Sequence, residues 1–140
     1  MGGFLAEVAA WFGDPATWTG RDGILPRLFE HVWISAVSLA IAMAIALPIG
    51  LWVGHTGRGV RSVGAVAGIG RAVPSLGLLG LAFLALLPFG LGLGALPAII
   101  ALTALAIPPI VTNASVGVRE VDRDLVEAAR GMGIDRKSVV

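Results

Sequence analysis

Two long runs without a charged residue constrain this chain more than any other feature of its sequence. Residues 32–54 form a run of 23 residues and residues 72–118 a run of 47 residues, with no Asp, Glu, Lys or Arg in either. A helix rises about 1.5 Å per residue, so the first run reaches about 35 Å, enough to cross a hydrocarbon core of about 30 Å with some tilt. The second run is too long for one crossing. The sequence therefore predicts an integral membrane protein, in keeping with 56% hydrophobic and only 14% charged residues.

The expected fold is an all-α membrane helical bundle with three spans in residues 31–118. The spans are predicted at about residues 32–54, 63–87 and 95–118. The second charge-free run has to fold back once, and Pro88–Gly94, with glycines at alternate positions, is the expected place of reversal. A shorter N-terminal segment, residues 1–30, precedes the spans and is interpreted as external or interfacial.

Aromatic residues in the N-terminal segment suggest two readings. Trp11, Phe12 and Trp18 could anchor the chain at a membrane interface, where aromatic side chains are enriched. The alternative is a loose tail. Charge bias favours an external position, because Arg58 and Arg61 follow the first span without a nearby acid and basic loops are typically cytoplasmic. The predicted N-terminus is therefore outside, and the polar segment after the third span is inside.

Several residues within the apolar regions are candidates for helix packing or for a transport pathway. Gly50 and Gly54 form a pair of small residues at a four-residue spacing, which allows close approach of a second helix. Arg71, Ser75 and Asn113 are polar groups in or beside the predicted spans, where such groups usually face the bundle interior. Arg71 could instead extend its long side chain to the headgroups, and Asn113 could form a helix–helix hydrogen bond.

The polar segment 119–134 contains a short motif, Glu127-Ala128-Ala129, followed after three residues by Gly133. Two alanines allow another backbone to approach closely, and a glycine permits the left-handed conformation that commonly ends a helix. The motif resembles the cytoplasmic coupling motif of membrane subunits in ATP-binding cassette importers. The resemblance implies that Glu127, Ala128, Ala129 and Gly133 dock against an ATPase subunit. A solvated amphipathic turn is the simpler alternative.

Three further stretches resemble the osmoprotectant branch of these importers, which moves glycine betaine, choline, carnitine or proline betaine. They are Val73-Pro74-Ser75-Leu76, Leu96 to Leu102, and Pro109 to Asn113. The resemblance implies a type I importer permease with five or six spans, of which three are expected here. It also implies an ATPase subunit, an external substrate-binding protein and a second permease subunit, identical or homologous, within the cell membrane. Alternatives left open are a small structural membrane subunit and a permease for another solute, such as an amino acid.

An enzyme is disfavoured by the distribution of reactive side chains. The charge-free runs contain no acid and no histidine, and the chain has no GxxxxGK[ST] loop and no cysteine. We therefore expect no catalytic residue, no metal site, no cofactor and, with a net charge of only +1, no nucleic-acid partner.

The last six residues, 135–140, are expected to be foreign to the protein. Asp135-Arg136-Lys137-Ser138-Val139-Val140 is what one reading frame of a common sequencing adapter encodes, and Lys137 is the only lysine in the chain. The family pattern that the motif resembles continues beyond Gly133 to a Leu-Pro, which this chain does not reach. Both observations favour a C-terminally truncated fragment of a longer permease.

Overall fold

The computed structural model describes residues 2–72, 74–121 and 131–132, with the side chains of residues 2, 67 and 69–72 outside the description. These residues form helices and turns, and no strand occurs among them. The prediction of an all-α fold is confirmed. The chain divides into two compact units, Met1–Val37 and Ser38–Val140, and the boundary between them falls within a helix.

The first unit contains two short helices and the beginning of a long one. These are α1 (Gly2–Gly13), α2 (Pro15–Thr19) and the start of α3 (Ile24–Thr56). Asp14 separates α1 from α2, because its carboxylate accepts a hydrogen bond from the Ala16 amide at 2.9 Å, which is a typical N-cap. Pro15 occupies the first helical turn, where its missing amide costs nothing.

In its described residues, the second unit contains the rest of α3 and the helices α4 (Val60–Ala72), α5 (Ser75–Leu86), which continues into a 3-10 turn (Leu87–Phe89), and α6 (Leu96–Arg119). The turn from α3 to α4 is tight because Gly57 and Gly59 both adopt positive φ, at 67° and 82°. The Thr56 hydroxyl donates to the Trp52 carbonyl at 2.7 Å and supports the last turn of α3.

The reversal before α6 lies where the sequence predicted it. Gly90 takes the left-handed conformation with φ of 71° and ends the 3-10 turn. Gly92 is buried and closely packed, since a Cβ there would lie 3.1 Å from the Leu87 Cα. The chain then enters α6, which packs against both α4 and α5.

The region of the predicted second span is not one helix but two. Helix α4 ends at Ala72 and α5 begins at Ser75, with Pro74 as its N-cap residue. Pro74 has no amide to donate and adopts an extended backbone, with φ of −60° and ψ of 126°, which accounts for a break at this point. By contrast, Pro48 lies inside a continuous α3, and Pro108 and Pro109 lie inside a continuous α6.

Two helical stretches of the described chain are long and apolar enough to cross a membrane, namely Pro15–Thr56 and Leu96–Arg119. They contain the predicted first and third spans. Helix α5 is apolar but too short to cross alone, at 12 residues. The exact limits of the three spans, and the crossing of α4 and α5 as one span, stay predictions.

Candidate functional site

One face of α3 in the second unit is made of small side chains, and this face is buried. Ser38, Ala42, Ala46, Gly50 and Gly54 follow one another at every fourth position, and all five are buried. Residues four apart lie on one side of a helix, so they form a continuous smooth stripe. We call the contact between this stripe and α6 the α3–α6 seam.

The helices approach closely at the two glycines that the sequence singled out. A Cβ built on Gly50 would lie 2.7 Å from the Ala114 Cβ and 2.9 Å from the Val111 carbonyl oxygen. A Cβ on Gly54 would lie 2.7 Å from the Val118 Cβ and 2.8 Å from the Ser115 carbonyl oxygen. These distances are well inside ordinary van der Waals contact. The prediction that Gly50 and Gly54 allow close packing of a second helix is therefore confirmed.

The other end of the α3–α6 seam holds a buried polar contact. The Thr103 hydroxyl donates to the Ser38 carbonyl at 3.3 Å, and both residues are buried. On the same side of α6, the buried Ser115 hydroxyl donates to the Thr112 carbonyl at 2.9 Å. Both buried hydroxyl groups thus donate a hydrogen bond to a backbone carbonyl, because burying a hydroxyl without a hydrogen bond is costly.

The pairing order along the seam shows that α3 and α6 run parallel. Ser38 meets Thr103, Gly50 meets Val111 and Ala114, and Gly54 meets Ser115 and Val118, so both numbers rise together. From Ser38 to Gly54 the helical rise is about 24 Å. The chain between the two helices must therefore return over that distance, and α4 with α5 supplies the return.

Polar groups on α6 cluster beside its paired prolines. Pro108 and Pro109 lack amide hydrogens, so two carbonyls one turn earlier have no α-helical donor. The Thr112 hydroxyl donates to the Pro108 carbonyl at 2.9 Å. Helix α6 stays continuous through both prolines, and the Thr112 hydrogen bond is an additional contact, since the carbonyls that the prolines free are those of residues 104 and 105.

The candidate pathway residues lie apart from the seam. Asn113 is exposed, and at about 100° per residue it lies on the face of α6 opposite Val111 and Ser115. Ser75 is exposed in the first turn of α5. Arg71 lies in the last turn of α4, with its side chain outside the description. No hydrogen bond joins Ser75 to Asn113 in the described part of the chain.

The predicted coupling residues Glu127, Ala128, Ala129 and Gly133 lie outside the described residues, as do residues 135–140. The structure does describe how the chain leaves α6. The Glu120 amide donates to the Val116 carbonyl at 2.9 Å and completes the last turn. Val118 and Ser115, the partners of Gly54, are in that turn or the one before it. The seam therefore ends immediately before the coupling segment begins.

Residues 46–140 match the protein family described as "Binding-protein-dependent transport system inner membrane component". The chain belongs to this family. The match includes Gly50 and Gly54, all of α4, α5 and α6, and the segment with the coupling motif. The resemblance to importer permeases that rested on short motifs is confirmed, and the family fold is the helical fold of type I importer permeases.

Relatives with assigned roles are similar over most of this chain. It is 40% identical over 111 residues to the carnitine transport permease protein OpuCB of Listeria monocytogenes, covering 79% of this chain and 49% of that protein. It is 31% identical over 116 residues to the choline transport system permease protein OpuBB of Bacillus subtilis, covering 83% and 51%. The osmoprotectant import permease protein OsmW of Salmonella typhimurium is 34% identical over 107 residues, covering 76% and 49%.

The chain spans about half the length of these inner membrane transport components. No solved structure shows significant similarity to it. Members of the family are transport subunits, so the expectation of a non-enzymatic membrane protein agrees with the family.

The buried Ser38–Thr103 contact is the part of the seam that sequence reasoning missed. A signal was present, because the four-residue spacing of Gly50 and Gly54 continues backward through Ala46 and Ala42 to Ser38. Extending that periodicity would have identified the stripe. The partner on α6 could not have been identified, because α6 carries two threonines and one serine at different angles around its axis.

Proposed function

We propose that the protein is a permease subunit that contributes to the translocation path of an ATP-driven importer. Its substrate class is a quaternary-ammonium or betaine-type osmoprotectant. The observation that carries the proposal is the family match over residues 46–140, together with 40% identity to a carnitine permease. The names of the relatives reported above do not support the alternative of an amino-acid permease.

The partners in this proposal follow from the family description, in which transport depends on a binding protein. An external binding protein delivers the solute, and a separate ATPase subunit hydrolyses ATP on the cytoplasmic side. A second permease subunit, identical or homologous, completes the path across the bilayer. In this arrangement the N-terminus is outside, and the segment after Arg119 is inside.

The composition of the apolar helices suits a solute that carries a permanent positive charge. The charge-free runs 32–54 and 72–118 contain no carboxylate that could hold such a cation in a deep ion pair. A buried ion pair is difficult to leave once its partners are desolvated. Conduction requires binding that is weak enough for release, which neutral oxygen atoms provide more readily than a carboxylate.

Coupling to the ATPase is assigned to Glu127, Ala128, Ala129 and Gly133. The support for this assignment is the motif itself and its place after α6. Because Gly54 packs directly on Ser115 and Val118, a force applied to the segment after α6 acts on α6 and α3 together. The α3–α6 seam thus joins the end of α6, from which the coupling segment continues, to α3.

Two motif variants test the proposal in the protein expressed from its own locus with its neighbouring subunits. Gly133→Val and Ala129→Asp should leave the amount of permease in the membrane near normal, since the motif lies outside the predicted spans. Both should reduce co-purification of the ATPase and uptake that depends on the binding protein.

Arg123→Gln is the matched control, since Arg123 is in the same segment but outside the motif. It should change both readouts much less. If both motif variants retain normal ATPase association and normal uptake, the coupling assignment is wrong and a structural membrane subunit becomes the better account.

A further inference from the structure

The N-terminal helix α1 carries its large apolar side chains on one face. At about 100° per residue, Phe4, Val8, Trp11 and Phe12 fall within an arc of about 100°. Leu5 lies at one edge of this arc and Glu7 at the other edge, and the opposite side carries small residues, among them Ala6 and Ala10. Phe4 is 70% exposed and Trp11 is 54% exposed within the described chain. Helix α1 therefore presents an exposed apolar face, with Phe4 near its N-terminal end and Trp11 and Phe12 near its C-terminal end.

The aromatic end of α1 is held by defined contacts within the first unit. The Trp18 indole donates to the Phe12 carbonyl at 2.8 Å, which connects α2 to the last turn of α1. The Trp11 and Phe12 rings meet edge to face with centroids 4.9 Å apart, and Trp18 lies 6.0 Å from Phe12. Three aromatic rings are thereby collected in one small region, as in the aromatic belts of membrane interfaces.

This aromatic cluster lies beside the stretch where α3 changes from charged to apolar. A groove of about 730 Å³ is lined by Trp11 and Asp14 on one side and by Arg27, Leu28 and His31 of α3 on the other. The charge-free run of α3 begins at the next residue, 32. Trp11 therefore lies close to the point on α3 at which that helix would enter the hydrocarbon core of a membrane.

The charged residues at the start of α3 indicate that this end of the helix faces water. Arg27 forms ion pairs with Asp22 at 2.7 Å and with Glu30 at 3.1 Å, and all three side chains are more than half exposed. Charged groups are costly inside a bilayer, so this cluster stays hydrated. With 12 residues, α1 is about 18 Å long, too short to cross a hydrocarbon core of about 30 Å.

We propose that α1 is an interfacial helix that lies along the membrane surface at the Ile24 end of α3. Its face of Phe4, Val8, Trp11 and Phe12 contacts the boundary between lipid headgroups and acyl chains. Lipid is the occupant because the aromatic end of α1 lines a groove with the part of α3 at which that helix becomes apolar, and α3 is long and apolar enough to span. This proposal concerns anchoring and does not depend on which solute is transported.

Site-directed spin labelling tests the proposal, because residues 1–140 contain no cysteine; any cysteine elsewhere in the full-length protein or its partner subunits is first replaced by serine. Single cysteines at Val8 on the apolar face and at Ala10 on the opposite face would be labelled with a nitroxide. The full-length protein, with its co-purifying subunits, would be reconstituted in vesicles of phosphatidylethanolamine and phosphatidylglycerol. Collisions with oxygen, which concentrates in lipid, and with a water-soluble nickel chelate would then be measured at each position.

The proposal predicts that the Val8 label is reached by oxygen and protected from nickel, and that the Ala10 label is reached by nickel. Nickel access at both positions would show a helix in water and overturn the proposal. If oxygen but not nickel reaches the labels at both positions, the helix is inserted in the membrane. If the labels are immobile and neither reagent reaches them, the helix is buried against protein. Either result also overturns the proposal. Phe4→Cys and Ala6→Cys form a second pair on the same two faces, in case a first variant fails to reconstitute.

Discussion

Replacing Gly54 by alanine should destabilise the protein, although alanine is normally the better helix residue. The added methyl group would lie 2.7 Å from the Val118 Cβ and 2.8 Å from the Ser115 carbonyl oxygen. Neither neighbour is the flexible end of a long side chain, so neither can move aside without shifting the backbone of α6. The substitution therefore has to separate the two helices.

The size of the effect follows from those distances. To reach the short end of ordinary contact, 3.4 Å, the Ser115 oxygen has to move by about 0.6 Å from its present 2.8 Å. Overpacking of this kind typically costs about 1–3 kcal/mol. The higher helix preference of alanine over glycine offsets about 0.5–1 kcal/mol of that cost.

Gly117→Ala provides the matched control that isolates the steric part. Gly117 belongs to the same end of α6, and a Cβ there would meet nothing within 4 Å. It should therefore be neutral or slightly stabilising, as helix preference alone predicts. The free energy of unfolding of each purified variant can be measured by titration with sodium dodecyl sulfate in bicelles. The difference between the two variants should be about 1–3 kcal/mol, with Gly54→Ala the less stable. Equal stabilities would show that α3 and α6 do not approach as closely at Gly54 as the structure describes.

Two further predictions concern the seam and the topology. Thr103→Val keeps the side-chain shape but removes the hydrogen bond to the Ser38 carbonyl, and should lower the free energy of unfolding by about 0.5–1.5 kcal/mol in the same titration; an unchanged value would contradict the contact. Cysteines introduced at Ser62 and Leu93, both exposed, should react with an impermeant thiol reagent from opposite sides of the membrane. Reaction of both from outside would contradict the three-span topology.

The sequence predicted the helical class and a close contact between helices because both depend on local patterns. Charge-free runs of sufficient length specify membrane helices, and a four-residue glycine spacing specifies where two helices can meet. The chain reversal at Pro88–Gly94 was also predictable, since glycines at alternate positions permit backbone conformations that other residues resist.

The division of the second predicted span could not be read from hydropathy. Helix α4 is less apolar than α5, because it contains Arg61 and Arg71, but such a difference says nothing of helix continuity. Proline alone does not decide the matter, because Pro48 and Pro108 lie within unbroken helices. Whether a helix continues through proline depends on how neighbouring groups satisfy the freed carbonyls, which is a property of the packed bundle. The Thr103–Ser38 contact was hidden for the same reason, since it joins residues 65 positions apart.

The most direct test of the proposed function is solute uptake by cells in which this gene is deleted and other osmoprotectant uptake systems are absent. Uptake of radiolabelled glycine betaine, choline and carnitine would be measured at high osmolarity, with the deletion complemented by the full-length gene and, separately, by a gene lacking the coupling motif. Our account predicts that deletion abolishes uptake of at least one of these solutes, that the full-length gene restores it, and that restoration requires the motif and the binding protein. Unchanged uptake of all three solutes in the deletion strain would contradict it.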